Sequence, residues 1–349
     1  MNTNDGAVDG AVDGAVLENH RDGDVLLSLS LRTDLLDHPR MPADSQARVR
    51  AGYGAWIDRL RERPGLADHA DRLLAGPGLD FALMIMPRMP AECVLEAALM
   101  LSVSLALDDV MNDERFDAGE VLSAARGEER AYTGFAEVFR SATAHVRDAL
   151  GPALYGRWLE EFTAWLSGGP WQGWTRPPRD LDEYLRLRYG DFGLSTSHVF
   201  VEHGSGAIAG TVLTPSAALS GLHTACYEHT VLVNDLFSYR KEWLAGEDAN
   251  ALMVLPKAQG VGLQAVVDAV CERVNRAERA FAAHGRSLVA AAGVHTDQVR
   301  AYVNGWRDML SGNLVCSLST PRYHGPGTAV PERMPRAMAV RRDRTVYLW

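Results

Sequence analysis

The chain has 349 residues, of which 47% are hydrophobic, and its formal net charge at pH 7 is −10. This acidic balance argues against nucleic-acid binding, which needs a basic face to displace counterions from phosphates. The longest apolar runs are too short and too interrupted to span a bilayer, and the N-terminus lacks the basic start and apolar run of a secretory signal. We therefore expect a cytoplasmic protein without a membrane span.

Composition divides the chain into three regions. A Gly-Ala-Val-Asp repeat lies within residues 6–16 and offers too few large apolar groups to offset the entropy of ordering, so residues 1–25 are expected to be a disordered tail. Composition is uniform over residues 26–325, which predicts one large domain. Residues 326–349 are rich in proline and arginine. They are predicted either to be disordered or to fold over the mouth of a site.

Helical patterns dominate the middle region. Apolar residues recur at three- and four-residue steps, as on amphipathic helices, in six segments: 94–112, 129–148, 152–166, 215–242, 261–287 and 295–317. Pro152, Pro215 and Thr296 stand where three of these helices would begin. Strand patterns are too sparse to form a sheet. The sequence therefore predicts an all-α fold.

Three oxygen-bearing side chains share one face of the segment 215–242. Asn234, Ser238 and Glu242 recur at i, i+4 and i+8, a spacing that places them on nearly the same side of a helix. A polar stripe could simply face solvent, but this helix is otherwise dense in apolar residues, where unsatisfied polar groups are costly. An all-oxygen set is what Mg²⁺ prefers. Lys241 lies beside the set and would attract an anion.

A second acidic cluster ends the first predicted helix. Asp108 and Asp109 follow an apolar run, and Asn112 and Asp113 come one turn later. Adjacent carboxylates at a buried helix end repel one another, and a cation offsets that repulsion. The cluster could also be an acidic loop after a helix. An EF-hand is a poor match because the alternating aspartates and central glycine are missing.

Two further segments carry groups suited to phosphate. Arg188 is followed by Asp191 and Phe192 in a glycine-flanked break, and arginine binds phosphate through its planar fork. Arg322 and Tyr323 follow the last predicted helix. Alone, each could be an ordinary surface feature.

Taken in order, these four features resemble the bacterial class I terpene synthases over roughly residues 50–325. The resemblance implies a single-domain helical bundle around a deep apolar active-site cavity, with residues 26–325 as the α domain. It also implies three Mg²⁺ ions, for which Mn²⁺ could substitute. The implied metal ligands are Asp108, Asp109, Asn112, Asp113, Asn234, Ser238 and Glu242.

The resemblance also implies roles in diphosphate binding. Arg188 would sense the diphosphate, Asp191 would be the linker and Phe192 the effector position. Arg322 and Tyr323 would be the closing pair that grips the diphosphate, with Lys241 adding positive charge. The implied reaction is Mg²⁺-dependent ionisation and cyclisation of a linear prenyl diphosphate to a cyclic terpene hydrocarbon or alcohol, with release of diphosphate.

The substrate's length is suggested by the predicted pocket wall. Leu105 and Cys316 stand where the family often carries bulky aromatics, so the cavity would be larger. This slightly favours C20 geranylgeranyl diphosphate over C15 farnesyl diphosphate. Phe192 and Phe237 are expected wall residues that could refill the space. A homodimer is compatible with the resemblance.

Two other functions remain open at this point. A chain-elongating prenyl diphosphate synthase would use the same scaffold and metals, but it should carry a second Asp-Asp-x-x-Asp cluster where this chain has Asn234-Asp235. A non-enzymatic helical binding protein is the alternative from a different class. It would have no reason to place metal ligands inside apolar helices.

Overall fold

The computed structural model describes residues 25–110, 116–168, 174, 176–247 and 249–349. At residues 108–110, 168 and 191 it describes the helical backbone but not the side chains. The N-terminal tail expected over residues 1–25 therefore lies outside the described residues, except for Val25.

The described residues form a helical bundle, which confirms the all-α prediction. The helices are α1 Ala43–Arg61, α2 Ala67–Ala75, α3 Gly78–Ile85, α4 Ala91–Val110, α5 Ala118–Arg126, α6 Gly134–Gly168, α7 Leu181–Asp191, α8 His198–Ser205, α9 Ala217–Ala245, α10 Ala251–Gln259, α11 Leu263–Ala291, α12 Thr296–Ser319 and α13 Pro321–His324. Short 3₁₀ turns occur at Leu194–Ser197 and Gly293–His295. No helix within the described parts of the chain is long and apolar enough to cross a membrane.

The six predicted helical segments correspond to α4, α6, α9, α11 and α12, because two of them join in α6. They meet at Gly151, whose φ of 69° and ψ of 171° lie outside the helical region, immediately before Pro152. Proline cannot donate the helical hydrogen bond, so the chain bends there and continues. Ser216 begins α9, where its hydroxyl accepts from the Leu219 amide at 3.2 Å.

Helix α9 lies at the centre of the bundle. It packs along α11 and α12 and also contacts α7, α10 and α13. Its middle turns are buried, with Val231, Leu232 and Val233 fully inaccessible. The turn of α9 that carries Asn234 therefore lies within the bundle, next to α13 and α7.

A small antiparallel sheet lies at the edge of the bundle, and the sequence patterns do not predict it. Its strands are β1 Val25–Ser28, β2 Ala337–Val340 and β3 Thr345–Leu348, in the order β1-β2-β3. Leu27 pairs with Met338, and both are 1% exposed. The first described segment thus pairs with residues near the C-terminus, and part of the predicted C-terminal tail is a β-hairpin.

Candidate active site

The predicted trio on α9 does share one side of the helix. Ser238 is completely buried, and Asn234 and Glu242 are partly buried on either side of it. The Asn234 Nδ2 donates to the Tyr323 hydroxyl at 2.9 Å. This bond engages the amide nitrogen, so the amide oxygen is left as the ligand atom. It also ties the α9 face to α13.

Asn250 organises the trio, and sequence reasoning missed it. Its side chain is fully buried at the start of α10, where Oδ1 accepts from the Leu252 amide at 2.7 Å as an N-cap. Its Nδ2 donates to Glu242 Oε2 at 2.7 Å and lies 3.5 Å from Ser238 Oγ. Only an Asn-Ala pair before an apolar run marks it in sequence, which indicates a helix start and nothing more.

Asp235 lies behind the trio, on the buried side of α9. Its carboxylate accepts from the Tyr184 hydroxyl at 2.5 Å and from the Ala251 amide at 3.2 Å. Arg188 Nη2 lies 3.8 Å from its other oxygen. Burial raises the pKa of Asp235 to about 7, partly offset by the Arg188 charge. This carboxylate holds α7 and α10 against α9.

Arg188 is the residue of α7 that the sequence analysis predicts to bind phosphate. It lies in the last turn of α7, is 8% exposed, and its guanidinium carbon stands 5.4 Å from the centre of the Phe192 ring. Phe192 ends α7, and Gly193 follows with a φ of 70°. A Cβ on Gly193 would stand 3.2 Å from the Trp165 indole. Helix α7 therefore ends at the glycine-flanked break that the sequence predicts. The side chain of Asp191 lies outside the described residues.

The Arg322–Tyr323 pair forms the middle two residues of the four-residue helix α13. Thr320 caps this helix by accepting from the Arg322 amide at 3.3 Å. Burial raises the pKa of Tyr323, which keeps its hydroxyl protonated. The pair therefore presents one fixed cation and one hydrogen-bonding hydroxyl beside Asn234.

Two of the expected wall positions lie near this pair. Arg322 and Leu105 line a cavity of about 130 Å³ between α2, α3, α4 and α13, and Phe135 of α6 also lines it. Phe135 is an aromatic wall residue that the sequence patterns did not indicate. Cys316 is partly buried near the end of α12, the helix that precedes Arg322. Burial raises the pKa of the Cys316 thiol to about 11.

Two more predicted substrate-binding residues, Lys241 and Phe237, lie in different surroundings. Lys241 Nζ pairs with Glu247 at 3.1 Å at the end of α9. Phe237 is 1% exposed, and its ring centre lies 6.3 Å from that of His324 and 6.5 Å from that of Tyr347. The structure thus brings Phe237 together with α13 and β3.

The acidic cluster is described only in part. Asp108 and Asp109 lie in the last turn of α4, as the helical pattern predicts, but their side chains are outside the description. Asn112 and Asp113 lie outside the described residues altogether.

The described half of the ligand set suits a hard divalent cation. Its donors are an amide oxygen, a hydroxyl and a carboxylate, which match the oxygen preference of Mg²⁺. Burial raises the pKa of Glu242, while the hydrogen bond from Asn250 opposes that rise. The partly buried Glu242 carboxylate and the Asp235 carboxylate repel each other, and a bound cation would offset that repulsion. Asn234, Ser238 and Glu242 therefore fit such an ion.

Comparison with known proteins gives the same fold. Linalool/nerolidol synthase from Streptomyces clavuligerus, solved in complex with 2-fluorogeranyl diphosphate, superposes with a TM-score of 0.65 at 18% identity. The match covers 81% of this chain and 97% of that chain. The bundle described above is thus the class I terpene synthase fold.

Sequence relatives point the same way. Microbial terpene synthase-like protein 13 of Selaginella moellendorffii is 27% identical over 196 residues, which cover 55% of this chain and 54% of that protein. Sesquiterpene synthase 3 of Postia placenta is 25% identical over 194 residues, covering 54% and 53%. The chain spans about half the length of these curated relatives.

The family described as terpene synthase family 2, C-terminal metal binding, matches residues 102–280, just over half of the chain. The match includes both predicted metal-binding motifs. This protein belongs to that terpene synthase family.

Proposed function

We propose that the protein is a Mg²⁺-dependent terpene cyclase that ionises a linear prenyl diphosphate and closes the resulting cation into a ring. The observation that carries this proposal is the bond between Asn234 and Tyr323. It ties the oxygen-bearing face of α9 to the short helix that also carries Arg322, which supports a site where α9 supplies the metal ligands and α13 binds the diphosphate. Arg188 lies 3.8 Å from the Asp235 carboxylate, and its charge also acts on the Glu242 carboxyl group.

The residues have separable tasks in this reaction. Asn234, Ser238 and Glu242, with Asp108 and its neighbours, would hold Mg²⁺, which when bound neutralises the diphosphate and makes it a better leaving group.

Arg188 and Arg322 add fixed positive charge, and Tyr323 donates a hydrogen bond to the departing diphosphate. Departure breaks the allylic C–O bond, and the electron pair leaves with the oxygen. Apolar wall residues such as Leu105 exclude water while the cation cyclises, until loss of a proton gives the hydrocarbon or addition of water and loss of a proton gives the alcohol.

We propose farnesyl diphosphate, with 15 carbons, as the substrate. The similarity to sesquiterpene synthase 3 of Postia placenta supports this length, because sesquiterpenes have 15 carbons. The cavity wall supports it too, because Phe135 supplies aromatic bulk opposite Leu105. The C20 expectation rested on missing bulk at Leu105 and Cys316, and Phe135 replaces part of that bulk from another helix.

The test is incubation of the purified protein with Mg²⁺ and, separately, geranyl, farnesyl and geranylgeranyl diphosphates, with products resolved by gas chromatography and mass spectrometry. We expect a cyclic C15 product that disappears with chelator and falls by at least about a hundredfold in Glu242→Gln. Turnover of geranylgeranyl diphosphate alone would restore the C20 expectation. Turnover without divalent metal would refute the proposed chemistry.

A further inference from the structure

The C-terminal hairpin, residues 337–348, lies against the helix that carries the diphosphate-gripping pair. Its strands β2 and β3 are joined by a tight turn in which the Arg341 amide donates to the Arg344 carbonyl at 2.9 Å. Buried Met338 and Val340 anchor the hairpin on the bundle, each 1% exposed. Strand β1 pairs along its outer side.

Arg240 is the first of three links between this hairpin and α13. From α9, its Nε donates to the Arg341 carbonyl at 2.8 Å and its Nη1 to the Tyr323 carbonyl at 3.2 Å. Its Nη2 donates to the Arg342 carbonyl. One guanidinium thus holds the turn of the hairpin and the backbone of the gripping pair together. These backbone contacts give Arg240 a task distinct from that of Lys241.

Tyr347 supplies the second link. Its hydroxyl donates to the Leu318 carbonyl at 2.8 Å and lies 3.0 Å from His324 Nε2. His324 is fully buried, and its Nε2 also lies 2.5 Å from the Ser317 carbonyl. Since His324 directly follows Tyr323 and ends α13, this network fixes the C-terminal end of α13 against α12.

The third link is a close backbone approach. Gly325 has a φ of 84°, and a Cβ built there would stand 2.5 Å from the Asp343 carbonyl oxygen. Only glycine allows the hairpin turn to lie this near to α13.

We propose that the C-terminal hairpin is a positioning device that holds Arg322 and Tyr323 in register with the metal ligands of α9. A helix of four residues cannot hold its own orientation in water, because so few intrahelical bonds do not offset its ordering entropy. Here the orientation is imposed by Arg240, Tyr347 and the approach at Gly325. The inference rests on the proposed function, since it assigns the hairpin to the binding of the diphosphate leaving group.

The experiment compares Tyr347→Phe and Gly325→Ala with the wild type and with Tyr155→Phe. The control is matched, because the buried Tyr155 hydroxyl also donates to a backbone carbonyl, that of Ala125 at 2.6 Å, away from the hairpin. Titration calorimetry measures the Kd for inorganic diphosphate with Mg²⁺. Product analysis gives the ratio of acyclic alcohol to cyclic product, and thermal unfolding gives Tm.

We expect Tyr347→Phe to raise the diphosphate Kd about fivefold, the equivalent of one lost hydrogen bond, and to increase the share of acyclic alcohol. Gly325→Ala should do the same through displacement of the turn. Tyr155→Phe should lower Tm comparably while leaving Kd and product ratio unchanged.

Wild-type values of Kd and product ratio in both hairpin variants would overturn the inference and leave the proposed function standing. A wild-type protein that neither binds diphosphate nor turns over any prenyl diphosphate would refute the proposed function, and this inference with it. If Tyr347→Phe fails to fold, Gly325→Ala and Arg240→Gln decide the outcome.

Discussion

Asn250 offers the sharpest test of how the metal ligands are held. The substitution Asn250→Ala removes the N-cap of α10 and the Nδ2 that donates to Glu242 at 2.7 Å. Loss of the cap costs about 1 kcal/mol, and loss of a donor to a buried carboxylate costs about 2 kcal/mol. The free energy of unfolding should therefore fall by about 3 kcal/mol, as measured by urea denaturation.

The same substitution should weaken the use of metal. Without its donor, the Glu242 side chain regains rotamer freedom that must be lost again when it binds an ion, at a cost of about 1 kcal/mol. This cost corresponds to an increase of about fivefold in the Mg²⁺ concentration that gives half-maximal activity. The assay is a Mg²⁺ titration of diphosphate release at saturating substrate.

Asn275→Ala is the matched control. The Asn275 side chain lies on α11 and makes two hydrogen bonds to the backbone. Its Oδ1 accepts from the Arg32 amide at 2.7 Å, and its Nδ2 donates to the Ser30 carbonyl at 2.9 Å. It should lose stability without any change in the Mg²⁺ requirement. If Asn250→Ala shows the same Mg²⁺ curve as this control, Asn250 serves only to cap α10 and the reasoning is refuted.

Three further predictions follow from other parts of the molecule. Arg188→Lys keeps the charge but loses the planar fork, so kcat/KM should fall about a hundredfold, or about 2.7 kcal/mol, in steady-state assays. Gly193→Ala forces a side chain into a φ of 70° and against Trp165, so unfolding should become easier by about 1 kcal/mol or more in thermal melts. Burial lowers the pKa of His198 to about 3 and of His223 to about 4, from an ordinary 6.5. Between pH 6.5 and pH 4 the unfolded chain therefore binds more protons than the folded protein. As the pH falls through this range, the free energy of unfolding should decrease by about 1.4 kcal/mol per pH unit for each histidine.

Each of these has a clear contrary result. Wild-type kcat/KM in Arg188→Lys would show that the charge alone suffices. A thermal melt of Gly193→Ala equal to that of the wild type would mean that the α7 break tolerates a side chain. Urea unfolding of His223→Gln should show a shallower loss between pH 6.5 and pH 4 than the wild type. Parallel curves would remove His223 from the acid sensitivity.

Local spacing accounts for what could be predicted from sequence. Apolar residues at three- and four-residue steps predicted α9 and α12, because a helix faces the core with one stripe. The i, i+4, i+8 spacing placed Asn234, Ser238 and Glu242 on one face for the same reason. The glycines around Phe192 predicted the end of α7, since glycine readily adopts the conformation found at Gly193.

Contacts between distant segments could not be predicted in this way. Asn250 reaches Glu242 only because α10 folds back along α9, and Phe135 joins the cavity wall only because α6 crosses α4. The small sheet pairs Leu27 with Met338, near opposite ends of the chain. No local periodicity reports such pairings, because they depend on how whole elements pack.

By itself, then, the sequence determined the helical class, the shared face of Asn234, Ser238 and Glu242 on α9, and the order along the chain of the groups proposed to bind phosphate. These are properties of neighbouring residues, governed by helical geometry and by the cost of burying polar atoms. Tertiary structure alone decided that Tyr323 bonds Asn234, that Arg240 binds backbone carbonyls, and that the C-terminal hairpin lies on α13. Those contacts join elements far apart in sequence, and they form only once the helices and the hairpin have packed together.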